Sequence, residues 1–250
     1  MTGVNEGIGY GMLRALLEDG YRVAGLDVDG EHLRPLQRAH PERVRSVECD
    51  VTSDDDVEAT VAAIIDDWAR VDVLVNNAAM LNFGCFVDQT LADAKRVFGV
   101  NYFGYVRTIR AVLLHVRARN AGIVHNVSSG VGRVGDPGLS GHLATKGAIE
   151  SLTRPLRLEL RRENVTRTIM HPRLARSRSA TALGYPESQL ADLEYVGRKL
   201  AGKIESTRPV IYTDWVTGIG LSLAQRFPYL VGRTTERFLD ERGAAAEPGC

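Results

Sequence analysis

His142 and Lys146 stand four residues apart in a stretch that reads as helix, so their side chains share one face. An ammonium beside an imidazole disfavours imidazolium. The pairing therefore predicts a histidine held below its ordinary value of about 6.5 and mostly neutral at pH 7. A neutral imidazole accepts a proton, which suits alcohol oxidation or proton abstraction. As a donor for ketone reduction it is poorer, although its N–H still polarises a carbonyl. A second set of residues opens the chain. Gly3, Gly7 and Gly9 let a backbone approach a pyrophosphate, and the start of the helix that follows offers unpaired N–H groups. Asp27 ends a β-rich run eighteen residues beyond Gly9, where a carboxylate accepts hydrogen bonds from ribose hydroxyls.

These side chains need elements to aim them. Short β-rich runs alternate with longer helical patterns, which predicts an α/β fold: a doubly wound parallel sheet with helices on both faces. Helices are predicted over 7–18 (apolar stripe Ile8, Leu13, Leu16, Leu17), 54–68, 91–119, 139–162 and 221–239. Strands are predicted over 21–27, 44–49, 71–75, 122–127, 165–170 and 208–212. Pro155 inside the 139–162 pattern costs about 3 kcal/mol and predicts a kink or two shorter helices. Residues 172–207 are polar and irregular and read as a mobile substrate lid. Residues 243–250 read as a disordered tail, leaving one domain over 1–242. A phosphate loop normally follows a buried strand, yet Met1-Thr2-Gly3 has none before it. The expectation is a misplaced start, with the first strand upstream of Met1, or else a truncation that leaves a gap at the sheet's centre.

Composition narrows the function classes. With 31 Lys and Arg against 31 Asp and Glu, no charge excess suggests nucleic acid or an anionic membrane. No apolar run approaches the length of a membrane span, and no signal peptide is visible. Cys49, Cys85 and Cys250 show neither metal-ligand spacing nor a disulfide framework, which fits a reducing cytoplasm and no bound metal.

Thr2-Gly3…Gly7-Ile8-Gly9, Asn76-Asn77-Ala78-Ala79, Asn126-Val127-Ser128-Ser129 and His142…Lys146 occur in this order. Together they resemble the short-chain dehydrogenase/reductase family, from Thr2 through about Phe238. His142 stands at the family's tyrosine position, and no tyrosine lies between Tyr105 and Tyr185 to restore it by a shift of register. The resemblance implies a Rossmann-like fold and NAD-dependent oxidoreduction of a secondary alcohol or ketone of a small molecule. Ser129, rather than Ser128, would orient the substrate oxygen and His142 would move the proton. Asn101 would hold a relay water, and Lys146 would bind the nicotinamide ribose and depress its partner's pKa. Cofactor contacts would come from Gly3, Gly7, Ile8, Gly9, Asp27, Asp50, Val51, Asn77, Ala78, Lys146 and Ser177, with Asp27 and Glu6 selecting NAD over NADP. Pro172-Arg173 departs from the family's Pro-Gly turn and adds bulk and charge. Arg173, Arg176 and Arg178 either receive an anionic substrate group or form a solvated basic loop, the second carrying more weight. A homodimer or homotetramer paired through the two long helices is implied. Two other readings stay open: a non-redox cyclase, isomerase or lyase using His142 as acid/base, and a catalytically dead binding protein.

Overall fold

The computed structural model describes residues 1–130 and 135–227. Strands β1 (Val23–Asp27) and β2 (Val44–Glu48) pair in parallel, and β3 (Val73–Asn76), β4 (Gly122–Val127), β5 (Val165–His171) and β6 (Val210–Tyr212) form a second parallel sheet in that order. Between the strands run α1 (Gly7–Glu18), α2 (Leu33–Ala39), α3 (Asp54–Trp68), α4 (Leu91–Phe98), α5 (Gly104–Ala118) and α6 (Ser140–Glu159). The short α7 (Arg178–Ala182), α8 (Leu193–Ala201) and α9 (Trp215–Arg226) complete the described helices. Successive strand residues point to opposite faces. Val75, Val127 and Met170 accordingly meet Met12, Leu13 and Leu16 of α1 and Val196 and Leu200 of α8. Leu74, Val124 and Val165 meet Val61 of α3, Ile109 and Val112 of α5, and Leu152 and Leu156 of α6. Helices thus cover both faces, as the alternation in the sequence requires.

The centre of the sheet is unusual. Met1–Gly3 lie between β1 and β3, parallel to β1, but only beside the C-terminal ends of those strands. Leu26 N–H donates to Met1 O at 2.8 Å, Gly3 N–H to Leu26 O at 2.8 Å and Thr2 N–H to Val75 O at 3.0 Å. The Met1 ammonium donates to Ala24 O at 2.7 Å. Behind them, alongside Val23, Ala24, Val73 and Leu74, a cavity of about 680 Å³ is walled by Leu16, Val61, Ile64 and Val112.

Three expectations need correction. The helix expected over 91–119 is interrupted: α4 passes into a π-helical turn, Gly99–Phe103, before α5 begins. One π turn leaves the apolar periodicity on either side intact, so the pattern hides it. Of the kink or two shorter helices expected at Pro155, the second is not found, because α6 runs through it. Pro155 and Ser151 are both exposed, on a face where solvent can serve the Ser151 carbonyl that the proline cannot. The segment 172–207 is not irregular throughout. Asp192 caps α8 by accepting from Tyr195 N–H at 2.9 Å, and Val196, Leu200 and Ala201 are buried against α1. Cys49 is a buried free thiol. The end of the helix expected over 221–239 and the tail 243–250 lie outside the described residues. Among the described residues no helix is long and apolar enough to cross a membrane.

Candidate functional site

The loop between Met1 and α1 is stitched to the loop after β3. Thr2 Oγ1 accepts from Asn77 N–H at 3.0 Å and Ala78 N–H at 3.1 Å, and Asn77 Nδ2 donates to Gly3 O at 2.6 Å. The turn into α1 requires glycine at two points. Gly7 holds φ +65°, in the left-handed region, and a Cβ on Gly9 would collide with Gly3 O. Glu6 occupies the cap of α1 without a side-chain bond to the helix, and the first turn holds no acidic residue, so the positive end of the helix stays open. Asp27, at the end of β1, accepts from Asn5 N–H through Oδ2 at 2.8 Å. Asp50 turns its carboxylate to Thr52, taking the N–H and the hydroxyl at 2.8 Å each. Val51 is buried against Gly104 of α5.

A pocket of about 510 Å³ opens beside these loops, and Ser129, His142, Lys146 and Ser177 line it together with Ile8 and Asn77. Gly3, Gly7, Gly9, Asp27, Asp50, Val51 and Ala78 are not among its walls. Ser128 also lines the pocket, but it is buried and donates through Oγ to Glu150 Oε1 at 3.1 Å. Glu150 also accepts from Arg154 at 3.1 Å and lies 3.5 Å from His171 Nε2. This buried Ser–Glu–His cluster was missed by the sequence reading. Its one visible trace is Glu150 falling one helical turn after Lys146.

Lys146 is buried, donates through Nζ to Val127 O at 3.0 Å and sits 5.5 Å from the centre of the Tyr105 ring. Burial pushes its ammonium down to about 8. His142 is pushed down to about 4, first by burial and then by the Lys146 charge, with a hydrogen bond to the Met80 carbonyl opposing. The charge effect was expected; the larger effect of burial was not. Asn101, fully buried in the π turn, accepts from Met80 N–H through Oδ1 at 2.7 Å, and its Nδ2 lies 3.3 Å from His142 Nδ1.

Two of the three arginines after β5, Arg173 and Arg178, stand against carboxylates. Arg178 pairs with Glu6 across the phosphate loop, and Arg173 Nη1 lies 3.6 Å from Asp214. Ser177 caps α7 by accepting from Ala180 N–H at 3.1 Å. The Glu6–Arg178 contact sets an arginine beside one of the two carboxylates expected to favour NAD. It joins residues 172 positions apart, beyond the reach of local pattern. Among the described residues no group of three or more His, Cys, Asp or Glu could hold a metal ion.

The pocket therefore combines a neutral imidazole, a buried ammonium and a serine beside an open helix N-terminus. A family model described as short chain dehydrogenase matches residues 1–185. The chain is 32% identical over 166 residues to a 2-(R)-hydroxypropyl-CoM dehydrogenase of Xanthobacter autotrophicus, spanning 64% of this chain and 66%, just under two thirds, of that protein. It is 30% identical over 177 residues to a 3-alpha-(or 20-beta)-hydroxysteroid dehydrogenase of Mycobacterium bovis, spanning 71% and 68%. A crystal structure of a short-chain dehydrogenase from Streptomyces avermitilis superposes with a TM-score of 0.80 at 27% identity, covering 97% of this chain and 96% of that one. With sequence, fold and loop geometry in agreement, the chain belongs to the short-chain dehydrogenase family.

Proposed function

We propose that the protein is an NAD-dependent oxidoreductase that oxidises a secondary alcohol on an apolar small molecule, with His142 as the base. One observation carries this reading: His142, Lys146 and Ser129 face the same pocket as Ile8 and Asn77 of the nucleotide loops. Those loops fit a dinucleotide. A Cβ on Gly7 would meet nothing within 4 Å, leaving open space before the uncapped start of α1, where a pyrophosphate finds N–H donors. Gly3, Ile8, Gly9, Ala78, Asp50 and Val51 would frame the nucleotide, and Ser177 would meet the carboxamide end. Asp27 favours ribose hydroxyls and repels a 2′-phosphate. Glu6 contributes less than its charge suggests, because Arg178 occupies it.

When bound, NAD supplies the hydride acceptor. Ser129 orients the substrate oxygen by hydrogen bonding, His142 removes the hydroxyl proton, and the Lys146 ammonium holds positive charge beside the forming carbonyl and the ribose. Asn101 supports His142 from behind. A histidine at this place, instead of a tyrosine, biases the chemistry towards oxidation, because the neutral ring is ready to accept rather than to give. Leu81, Val127, Leu174, Val216 and Leu221 make the rest of the pocket apolar, which fits a hydrocarbon or ring-bearing alcohol. Exposed Leu114 on α5 and Leu158 on α6 support assembly as a homodimer or homotetramer through those helices.

The test is NADH formation by the purified protein with a panel of apolar secondary alcohols. Wild type is expected to turn over with NAD and poorly with NADP, and His142→Gln to lose about 10²- to 10⁴-fold in kcat/KM. Protein that binds NAD yet reduces it with no alcohol of the panel overturns the redox reading.

A further inference from the structure

Three acceptors around His142 compete for the two hydrogens of one amide. Asn101 Oδ1 takes the Met80 N–H at 2.7 Å, which fixes the orientation of the amide. Its Nδ2 then faces Met80 O at 2.9 Å, Thr145 Oγ1 at 3.1 Å and His142 Nδ1 at 3.3 Å. Thr145 donates its own hydroxyl hydrogen to His142 O at 2.6 Å, so its oxygen meets Asn101 as an acceptor. The two shorter contacts take both amide hydrogens and leave none for His142 Nδ1. That same nitrogen lies 3.2 Å from Met80 O, which can only accept. A bare Nδ1 there would set lone pair against lone pair, whereas an N–H makes a hydrogen bond.

We infer that Thr145 is a positioning residue that sets the tautomer of His142: by engaging the second Asn101 hydrogen it leaves Nδ1–H to Met80 O and presents an unprotonated Nε2 to the pocket. The inference rests on the reading of His142 as the base, since an unprotonated Nε2 is the form a base needs. In the step it serves, the substrate O–H bond breaks and an Nε2–H bond forms. The resulting imidazolium keeps its Nδ1–H on Met80 O, and no other atom of the cluster changes protonation. Thr145 is fully buried and does not line the pocket, so it acts only through His142 and Asn101.

The experiment is nitrogen NMR on the full chain with labelled imidazoles, the His142 signal being identified by its loss in His142→Asn. Wild type is expected to show Nδ1 protonated and Nε2 bare. Thr145→Val removes the acceptor, turns the freed amide hydrogen onto Nδ1 and is expected to move the proton to Nε2. The kcat for alcohol oxidation should fall about tenfold or more, with NAD affinity unchanged. Thr145→Ser should restore both signatures, and Thr145→Ala replaces the valine variant if that one does not fold. A wild-type ring protonated at Nε2, or a folded valine or alanine variant whose tautomer is unchanged, overturns the inference. A tautomer that switches while turnover stays constant supports the role of Thr145 and removes His142 from the chemistry, so the two failures are told apart.

Discussion

An imidazole pushed down to about 4 and an ammonium pushed down to about 8 on one helix face coexist in their useful forms over a wide interval. His142 is neutral, and able to accept a proton, above its value. Lys146 is charged, and able to hold ribose, below its own. The pH profile of kcat/KM for alcohol oxidation is therefore expected to be flat between about 4 and 8, falling on the acid side as His142 protonates and on the alkaline side as Lys146 discharges. An acid limb near the ordinary histidine value of about 6.5 would show instead that the ring is solvated. The His142–Lys146 pairing was legible because i, i+4 spacing is a local property. Thr145 and Glu150 were not, because each matters through contacts with residues far away in the chain: Asn101 for one, Ser128 and His171 for the other.

Among the elements, α8 shows how a segment can read as loop and behave as core. A nine-residue helix shows only about two and a half turns of pattern, too few for periodicity to stand out from polar flanks. Its packing on α1 depends on backbone contact: a Cβ on Gly197 would lie 2.5 Å from the carbonyl carbon of Gly11. Gly197→Val should force the helices apart and cost about 1–3 kcal/mol, read as a lower urea midpoint with unchanged slope. A variant with wild-type stability would return α8 to the status of a lid. The π turn escaped for a different reason. It carries buried Asn101 within a continuous helical ridge, and only hydrogen-bond geometry distinguishes one turn from the next.

Across the whole molecule the α/β alternation was legible because β-rich runs and amphipathic helices differ in period. What the pattern could not convey is how the two half-sheets meet, because that depends on backbone hydrogen bonds between segments far apart in the chain.

Among the described residues the two half-sheets share backbone hydrogen bonds only through residues 1–3. What else joins them is side-chain contact and helix packing, which loosen gradually, whereas a continuous ladder resists until it breaks. The stretch from β1 to β2 is accordingly expected to behave as a separate cooperative unit. In native-state hydrogen exchange its strand amides should open together at a free energy below that of β4 and β5. Equal protection across both half-sheets would mean that three residues suffice to make them one.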